Sequence, residues 1–134
     1  MSEELFWLTL TVAMTGVMWL PYVLNRIAVR GLLGAMGNPK DGEAPHSPWA
    51  DRMMRAHRNA VENLVLFAAL VLTVQTLGLS SPLTQMACLV YFFARLAHFV
   101  VYAAGIPVVR TLAFAVGFAA QAVLVVAILG GPVA

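Results

Sequence analysis

The stretch that decides the fold is Arg52-Met53-Met54-Arg55-Ala56-His57-Arg58-Asn59-Ala60-Val61-Glu62-Asn63, followed without a break by Leu64-Val65-Leu66-Phe67. An α-helix turns by about 100° per residue, so one arc of roughly 100° collects four polar residues. These are Arg55, Arg58, Asn59 and Glu62. The segment that follows is apolar enough to cross a bilayer, where charged groups are costly unless they face a cavity, a partner or a ligand. The stretch therefore predicts a membrane helix with one functional face.

The composition of the whole chain agrees with a membrane protein. Of its 134 residues, 61% are hydrophobic and 10% are charged, and its mean hydropathy is +0.85. Soluble domains carry about 25% charged residues, and a chain of this length corresponds to one domain. The net charge of +2 is too small to indicate a nucleic-acid partner. The single Cys88 lies in an apolar segment, so neither a disulfide framework nor a thiolate metal site is expected.

The hydropathy pattern predicts an all-α membrane protein built as a bundle of four transmembrane helices. A hydrocarbon core of roughly 30 Å needs about 20 apolar residues, and four segments meet that length. We place the helices at about residues 4–30, 48–77, 82–104 and 107–129. Pro21 is expected to kink the first helix, and residues 31–48 are expected to form an exposed loop. Ser47-Pro48 predicts a hydroxyl-capped helix start, and Gly130-Gly131-Pro132 predicts a helix stop.

The basic residues predict the orientation in the membrane. Most of them belong to the first loop and its flanks: Arg26, Arg30, Lys40, Arg52, Arg55 and Arg58. Arg110 follows the third connection, whereas the second connection carries none. The positive-inside rule then puts the first and third connections in the cytoplasm and both termini outside. We expect a multi-pass protein, most consistent with a bacterial inner membrane, whose polar residues gather on the cytoplasmic side.

Two interpretations of the polar residues remain open at this point. In the structural one, the arginines reach out to lipid headgroups and Glu62 pairs with one of them. In the functional one, the arginines bind the carboxylates of glutathione, and Glu62 binds its α-ammonium group. A free thiol has a pKa of about 8.5, and a nearby guanidinium would lower it and favour the thiolate. Anionic lipid would satisfy the arginines equally well.

The spacing of these residues resembles the MAPEG family, the membrane-associated proteins in eicosanoid and glutathione metabolism. The resemblance rests on Arg55-Ala56-His57-Arg58-Asn59 with Glu62, on Arg95-x-x-His98-x-x-x-Tyr102, and on Arg110 at the start of the fourth helix. It extends to Arg30 and Asn38-Pro39, and the nearest branch is that of microsomal prostaglandin E synthase and microsomal glutathione transferase.

The resemblance implies a homotrimer that binds glutathione between subunits near the cytoplasmic side. It implies that Arg110 and Tyr102 are catalytic, with Arg110 stabilising the thiolate, and that no metal takes part. The implied glutathione-binding residues are Arg30, Arg58, Asn59, Glu62, Arg95, His98, Tyr102, Arg110 and Thr111, with Arg30 supplied by a neighbouring subunit. Thr111 stands where the prostaglandin synthase has serine, and Phe114 stands where it has tyrosine. The first loop is also shorter, so specificity for prostaglandins is in doubt.

Three functions are therefore compared. The first is a microsomal-type glutathione transferase or peroxidase that acts on lipophilic electrophiles arriving through the bilayer. The second is a glutathione-assisted isomerase of the prostaglandin synthase type, which would release no glutathione conjugate. The third is a membrane scaffold that binds lipid and has no catalytic activity.

Overall fold

The computed structural model describes residues 1–131, and it contains four helical segments long and apolar enough to cross a membrane. These segments are Glu3–Met36, Pro48–Thr76, Pro82–Ala104 and Pro107–Leu129. No β-strand occurs within residues 1–131. The predicted all-α membrane architecture is confirmed, and the multi-pass topology follows from it. Pro132 of the predicted helix stop lies outside the described residues.

The first membrane segment is two helices, α1 (Glu3–Val17) and α2 (Trp19–Met36), that meet at Met18. Pro21 has no backbone N–H, so the carbonyl of Val17 loses its helical partner one turn earlier. The predicted kink therefore occurs, but at Met18. The sequence predicts an end of this helix at about residue 30, and α2 is interrupted there by a kink: Gly31 has a φ of +73° and a ψ of 167°, a non-helical conformation that glycine tolerates easily. A further helical stretch follows the kink and reaches Met36.

The next helix, α3 (Pro48–Thr76), begins where the sequence predicts but is held differently. The Ser47 hydroxyl does not cap the helix. It accepts a hydrogen bond from Asn25 Nδ2 at 2.8 Å, while the Ser47 backbone N–H donates to Asn25 Oδ1 at 3.1 Å. Asn25 thus binds the start of α3 to α2. The first loop is the segment between Met36 and Pro48, six residues shorter at its beginning than predicted, because a short helical stretch follows the kink at Gly31.

The last two helices are α4 (Pro82–Ala104) and α5 (Pro107–Leu129), which agree with the predicted bounds. Gly105 joins them with a φ of +79°. A β-carbon on Gly105 would lie 3.2 Å from Arg52 Nε, so both the backbone and the neighbouring side chain favour glycine there. Arg52 Nε donates to the carbonyl of Ala103 at 2.9 Å and so caps the end of α4. This contact ties α3 to the connection that precedes Arg110.

The buried side chains differ in polarity between the two halves of the bundle. The half that contains the N-terminus of α1 is mostly apolar, and Phe67 and Tyr91 stack in the core with their ring centroids 3.8 Å apart. Other members of this core are Leu8, Val71, Val74, Ala87, Cys88, Ala120 and Leu124. Towards the first loop, the buried side chains of α4 become polar, with Arg95 and His98. The predicted site residues of α4 therefore lie in the half of the bundle near the first loop, as the sequence predicts, whereas the buried Glu4 and Thr84 form a separate polar contact in the other half.

Candidate functional site

The polar face of α3 borders a groove of about 320 Å³. Arg58 and Glu62 both line it, and both side chains are exposed. The other lining residues are Tyr22, Met54, His57 and Val61. A hydrocarbon core spans about 20 residues of helix. If the end of α3 marks one interface, Arg58 stands at the edge of the opposite one and Glu62 lies about one turn deeper.

Tyr22 and His57 form a contact on the wall of this groove that the helical periodicity of α3 alone does not predict. The Tyr22 hydroxyl lies 2.8 Å from His57 Nδ1, and this hydrogen bond joins α2 to α3. The two rings lie with their centroids 5.8 Å apart. The sequence pattern does not predict this hydrogen bond, because the tyrosine and the histidine are far apart in the chain.

Arg95 and His98 of α4 lie inside the bundle, unlike Arg58 and Glu62. The side chain of Arg95 is 2% exposed and that of His98 is 3% exposed. Arg95 Nη2 donates to Asn59 Oδ1 at 2.7 Å, which joins α4 to the edge of the polar face of α3. Arg95 Nε, His98 Nδ1 and the hydroxyl of the neighbouring Tyr91 are buried and have no hydrogen-bond partner among the described residues.

Arg110 of α5 lies against Tyr102 of α4. The Arg110 guanidinium carbon is 4.4 Å from the centroid of the Tyr102 ring, in cation–π geometry. Both residues are half-buried. His98 contacts the same tyrosine edge to face, with ring centroids 5.5 Å apart, and lies 6.2 Å from the ring of Phe114. The structure thus brings together the predicted pair Arg110 and Tyr102 and places His98 directly behind it.

Thr111 and Arg30 are engaged elsewhere. The Thr111 hydroxyl is exposed and donates to the carbonyl of Pro107 at 3.0 Å, within its own helix. Arg30 forms an ion pair with Glu43 of the first loop, with Nη1 and Oε2 2.8 Å apart. Its Nε donates to the carbonyl of Ala44 at 2.9 Å. Within one chain, Arg30 therefore holds the first loop and makes no bond to the α3 groove.

The charged side chains of the predicted site form no ion pairs with one another. Within residues 1–131 the ion pairs are Arg30 with Glu43 and His46 with Asp51. None of the predicted site residues on α3, α4 or α5 takes part in one. Among residues 1–131, therefore, no ion pair neutralises Arg58, Arg95, Arg110 or the Glu62 carboxylate. Charged groups at this depth require a partner, so the arrangement is suited to a ligand with two or more anionic groups and one cationic group.

Two further grooves on the surface of the helices are apolar. One, of about 260 Å³, lies between α4 and α5, and the other, of about 490 Å³, lies between α3 and α5. Gln121 is the one polar residue lining the larger groove, and its amide donates to the carbonyl of Asn63 at 3.2 Å. Both grooves are accessible from the lipid side and can take apolar chains.

The sequence was compared with known families and proteins. The sequence model described as MAPEG family matches residues 5–130, which is nearly the whole chain. No curated protein matches the chain. The family match covers all five helices and every predicted site residue.

Proposed function

The chain belongs to the MAPEG family, and on that premise we propose that it is a glutathione-dependent membrane transferase or peroxidase. Its substrates would be lipophilic electrophiles that diffuse to the enzyme through the bilayer. The observation that carries the proposal is the set of guanidinium groups, with one carboxylate, that form no ion pair within the described part of the chain. Glutathione has two carboxylates, one ammonium group and a thiol, so it would satisfy all of them.

The residues of the polar face of α3 would bind the ends of the tripeptide. Glu62 would accept hydrogen bonds from the α-ammonium group, and Arg58 and Asn59 would donate to a carboxylate. Such charge-assisted hydrogen bonds are stronger than neutral ones, and they gain strength in a site that excludes water. Arg95 and His98 are buried, which favours a role in supporting the residues that contact glutathione and not in contacting it themselves.

Arg110 would stabilise the glutathione thiolate. Tyr102 fixes the guanidinium from one face, so its N–H edges stay available for an anion. The thiolate would attack the electrophilic carbon of the substrate, a C–S bond would form, and the leaving group would depart with the bonding electrons. With a hydroperoxide, two glutathione molecules would instead yield an alcohol, water and glutathione disulfide. No metal takes part in either step.

A single protomer leaves the site open, which supports a homotrimer in which subunits complete each other's sites. Arg58 and Glu62 are exposed on the outer surface of the bundle, where lipid would not solvate their charges. Arg30 of a neighbouring subunit would close the pocket on the cytoplasmic side. We place this side in the cytoplasm and both termini outside, in a bacterial inner membrane, on the basis of the arginine distribution.

An isomerase that recycles glutathione is the alternative within the same chemistry. Phe114, which lies beside His98, lacks the hydroxyl of the synthase tyrosine, and this favours the transferase. Titration of the purified protein with glutathione, followed by the ultraviolet absorbance of the thiolate, tests the shared first step. Turnover with a model electrophile then separates the functions: a transferase releases the conjugate, an isomerase releases none, and a lipid-binding scaffold gives no thiolate signal at all.

A further inference from the structure

We propose that Arg52 is a positioning residue, which holds the connection between α4 and α5 and, through it, the guanidinium of Arg110. The inference rests on the proposed function, because Arg110 acts there on the thiol of glutathione. It requires no contact between Arg52 and glutathione, and Arg52 is not among the residues that line the α3 groove.

The connection between α4 and α5 joins Tyr102 to Arg110 through the backbone. Only Gly105 and Ile106 separate the two helices. The Gly105 N–H donates to the carbonyl of Tyr102 at 3.0 Å, and the Ile106 N–H donates to the carbonyl of Val101 at 3.1 Å. The Ile106 carbonyl accepts from the Arg110 N–H at 3.2 Å. A movement of this connection therefore moves Arg110 relative to Tyr102, over whose ring its guanidinium lies.

Arg52 fastens the connection to α3. Its Nε donates to the carbonyl of Ala103 at 2.9 Å. Its guanidinium also packs against Gly105, where a β-carbon would lie 3.2 Å from Nε, 3.3 Å from Cζ and 3.6 Å from Nη2. Arg52 forms no ion pair within residues 1–131, and its charge lies beside the partial negative charge of the carbonyls at the end of α4. A hydrogen bond, packing and charge thus all act at the same place.

The conformation of Gly105 explains why the connection needs this support. Its φ is +79°, and glycine adopts positive and negative φ about equally readily, so its own backbone does not hold one conformation. Within residues 1–131, Arg52 provides the one side-chain hydrogen bond from another helix to residues 103–110. Without it, the start of α5 can shift. Because the energy between two charges varies inversely with their distance, a shift of about 1 Å would weaken the attraction of Arg110 for a thiolate.

The test follows the pKa of the bound glutathione thiol in the purified full-length protein, by its thiolate absorbance as a function of pH. Arg52→Met keeps an unbranched side chain and removes the guanidinium. We expect the thiol pKa to rise by about 0.5–1, because Arg110 moves away from the sulfur. The kcat at neutral pH should fall about three- to tenfold, whereas the KM for glutathione should stay close to the wild-type value.

Gln121→Met is the matched control. The Gln121 side chain also donates to a backbone carbonyl of another helix, that of Asn63 at 3.2 Å, but away from the connection between α4 and α5. Its loss should leave the thiol pKa unchanged.

The Arg110→Ala background separates positioning from a direct effect of the Arg52 charge. In that background Arg52→Met should raise the thiol pKa no further, because there is no guanidinium left to position. An equal rise in both backgrounds would overturn the inference, since Arg52 would then act by its own charge. An unchanged thiol pKa in Arg52→Met alone would overturn it as well.

Gly105→Ala is a second variant, which keeps every charge. Its β-carbon would displace the Arg52 guanidinium, and its φ would be strained. The thiol pKa should again rise only when Arg110 is present. If Arg52→Met does not fold, this comparison decides alone. Absence of a thiolate signal in the wild type would instead reject the proposed function.

Discussion

The guanidinium of Arg110 lies over the ring of Tyr102, with its central carbon 4.4 Å from the ring centroid. This contact places the single arginine of α5 at the end of the row of polar side chains on α4. One face of the guanidinium is covered by the tyrosine, and its edges remain free to donate. Such an arginine is restrained in position, and its charge cannot be neutralised. It is therefore the best candidate in this chain for a group that stabilises a thiolate.

Replacing Arg110 by alanine should separate catalysis from binding. The pKa of the bound glutathione thiol should rise by about 1–3, because the nearby positive charge is lost. Activity at neutral pH should fall roughly tenfold or more, whereas glutathione affinity should fall much less. Lysine should restore only part of the activity, because a point charge replaces a planar fork.

The pH profile provides the control for this variant. Raising the pH should restore some activity to Arg110→Ala, because a larger fraction of the bound glutathione thiol is then deprotonated. Tyr102→Phe keeps the aromatic face under the guanidinium and removes only the hydroxyl, so its profile shows whether that hydroxyl contributes. A normal pH profile with a loss of affinity alone would mean that Arg110 binds a carboxylate of glutathione.

Replacing Glu62 by glutamine should weaken glutathione binding by one to two orders of magnitude. The reason is that a hydrogen bond to a charged group is worth about 1.5–3 kcal/mol. Calorimetry or thiolate absorbance gives the dissociation constant. Glu3→Gln makes the same chemical change at an exposed position on the other side of the bundle and should bind like the wild type. Equal affinity in the two variants would reduce Glu62 to a structural role.

Replacing Glu43 by glutamine should tighten glutathione binding. In the single chain Glu43 holds Arg30 at 2.8 Å, and the ligand would have to compete for that guanidinium. Partly exposed ion pairs are worth about 0.2–1 kcal/mol, so the gain should be about two- to fivefold. Arg30→Ala should weaken binding, and adding Glu43→Gln to it should change nothing further. If Glu43→Gln still raised glutathione affinity in the Arg30→Ala background, the cause would be the removal of a negative charge and not the release of Arg30.

Replacing Glu4 by leucine should destabilise the protein without affecting glutathione binding. Glu4 is fully buried at the end of the bundle opposite the first loop and accepts hydrogen bonds from Ser80, Thr84 and Gln75 at 2.8, 2.7 and 3.3 Å. Leucine would remove this shared acceptor, but Thr84 can still donate to the Ser81 carbonyl at 2.9 Å and Ser80 is exposed. We therefore expect a cost of about 1–3 kcal/mol in the free energy of unfolding. Thermal unfolding in detergent measures it. Glu3→Leu, at the exposed neighbouring position, is the control and should unfold like the wild type.

Cysteine labelling should establish the orientation. Cysteines introduced at the exposed positions Lys40 and Glu3 should react with a membrane-impermeant reagent from opposite sides, with Lys40 on the cytoplasmic side. The native Cys88 is fully buried and should not interfere. Labelling of both positions from one side would contradict a single membrane crossing between Glu3 and Lys40.

The sequence by itself determined the fold class and most helix ends. Long apolar runs, interrupted by glycine and proline, leave a membrane chain few alternatives to helices, because backbone groups in lipid must be satisfied within the segment. The periodicity of α3 likewise placed Arg58 and Glu62 on one face. The first segment is predicted to end near residue 30, next to the kink at Gly31, but the sequence alone does not indicate the short helical stretch that follows this kink to Met36.

Only the tertiary structure decided which polar residues are inside and which are outside. Periodicity gives the direction of a side chain from its own helix, but it does not say which neighbour covers it. Arg95 and Arg110 therefore looked alike in the sequence, yet one is buried on Asn59 and the other is half-buried on Tyr102. The contacts of Tyr22 with His57 and of Glu4 with Thr84 join residues 35 and 80 positions apart. Such pairs arise only when the helices pack, since local sequence carries no information about them.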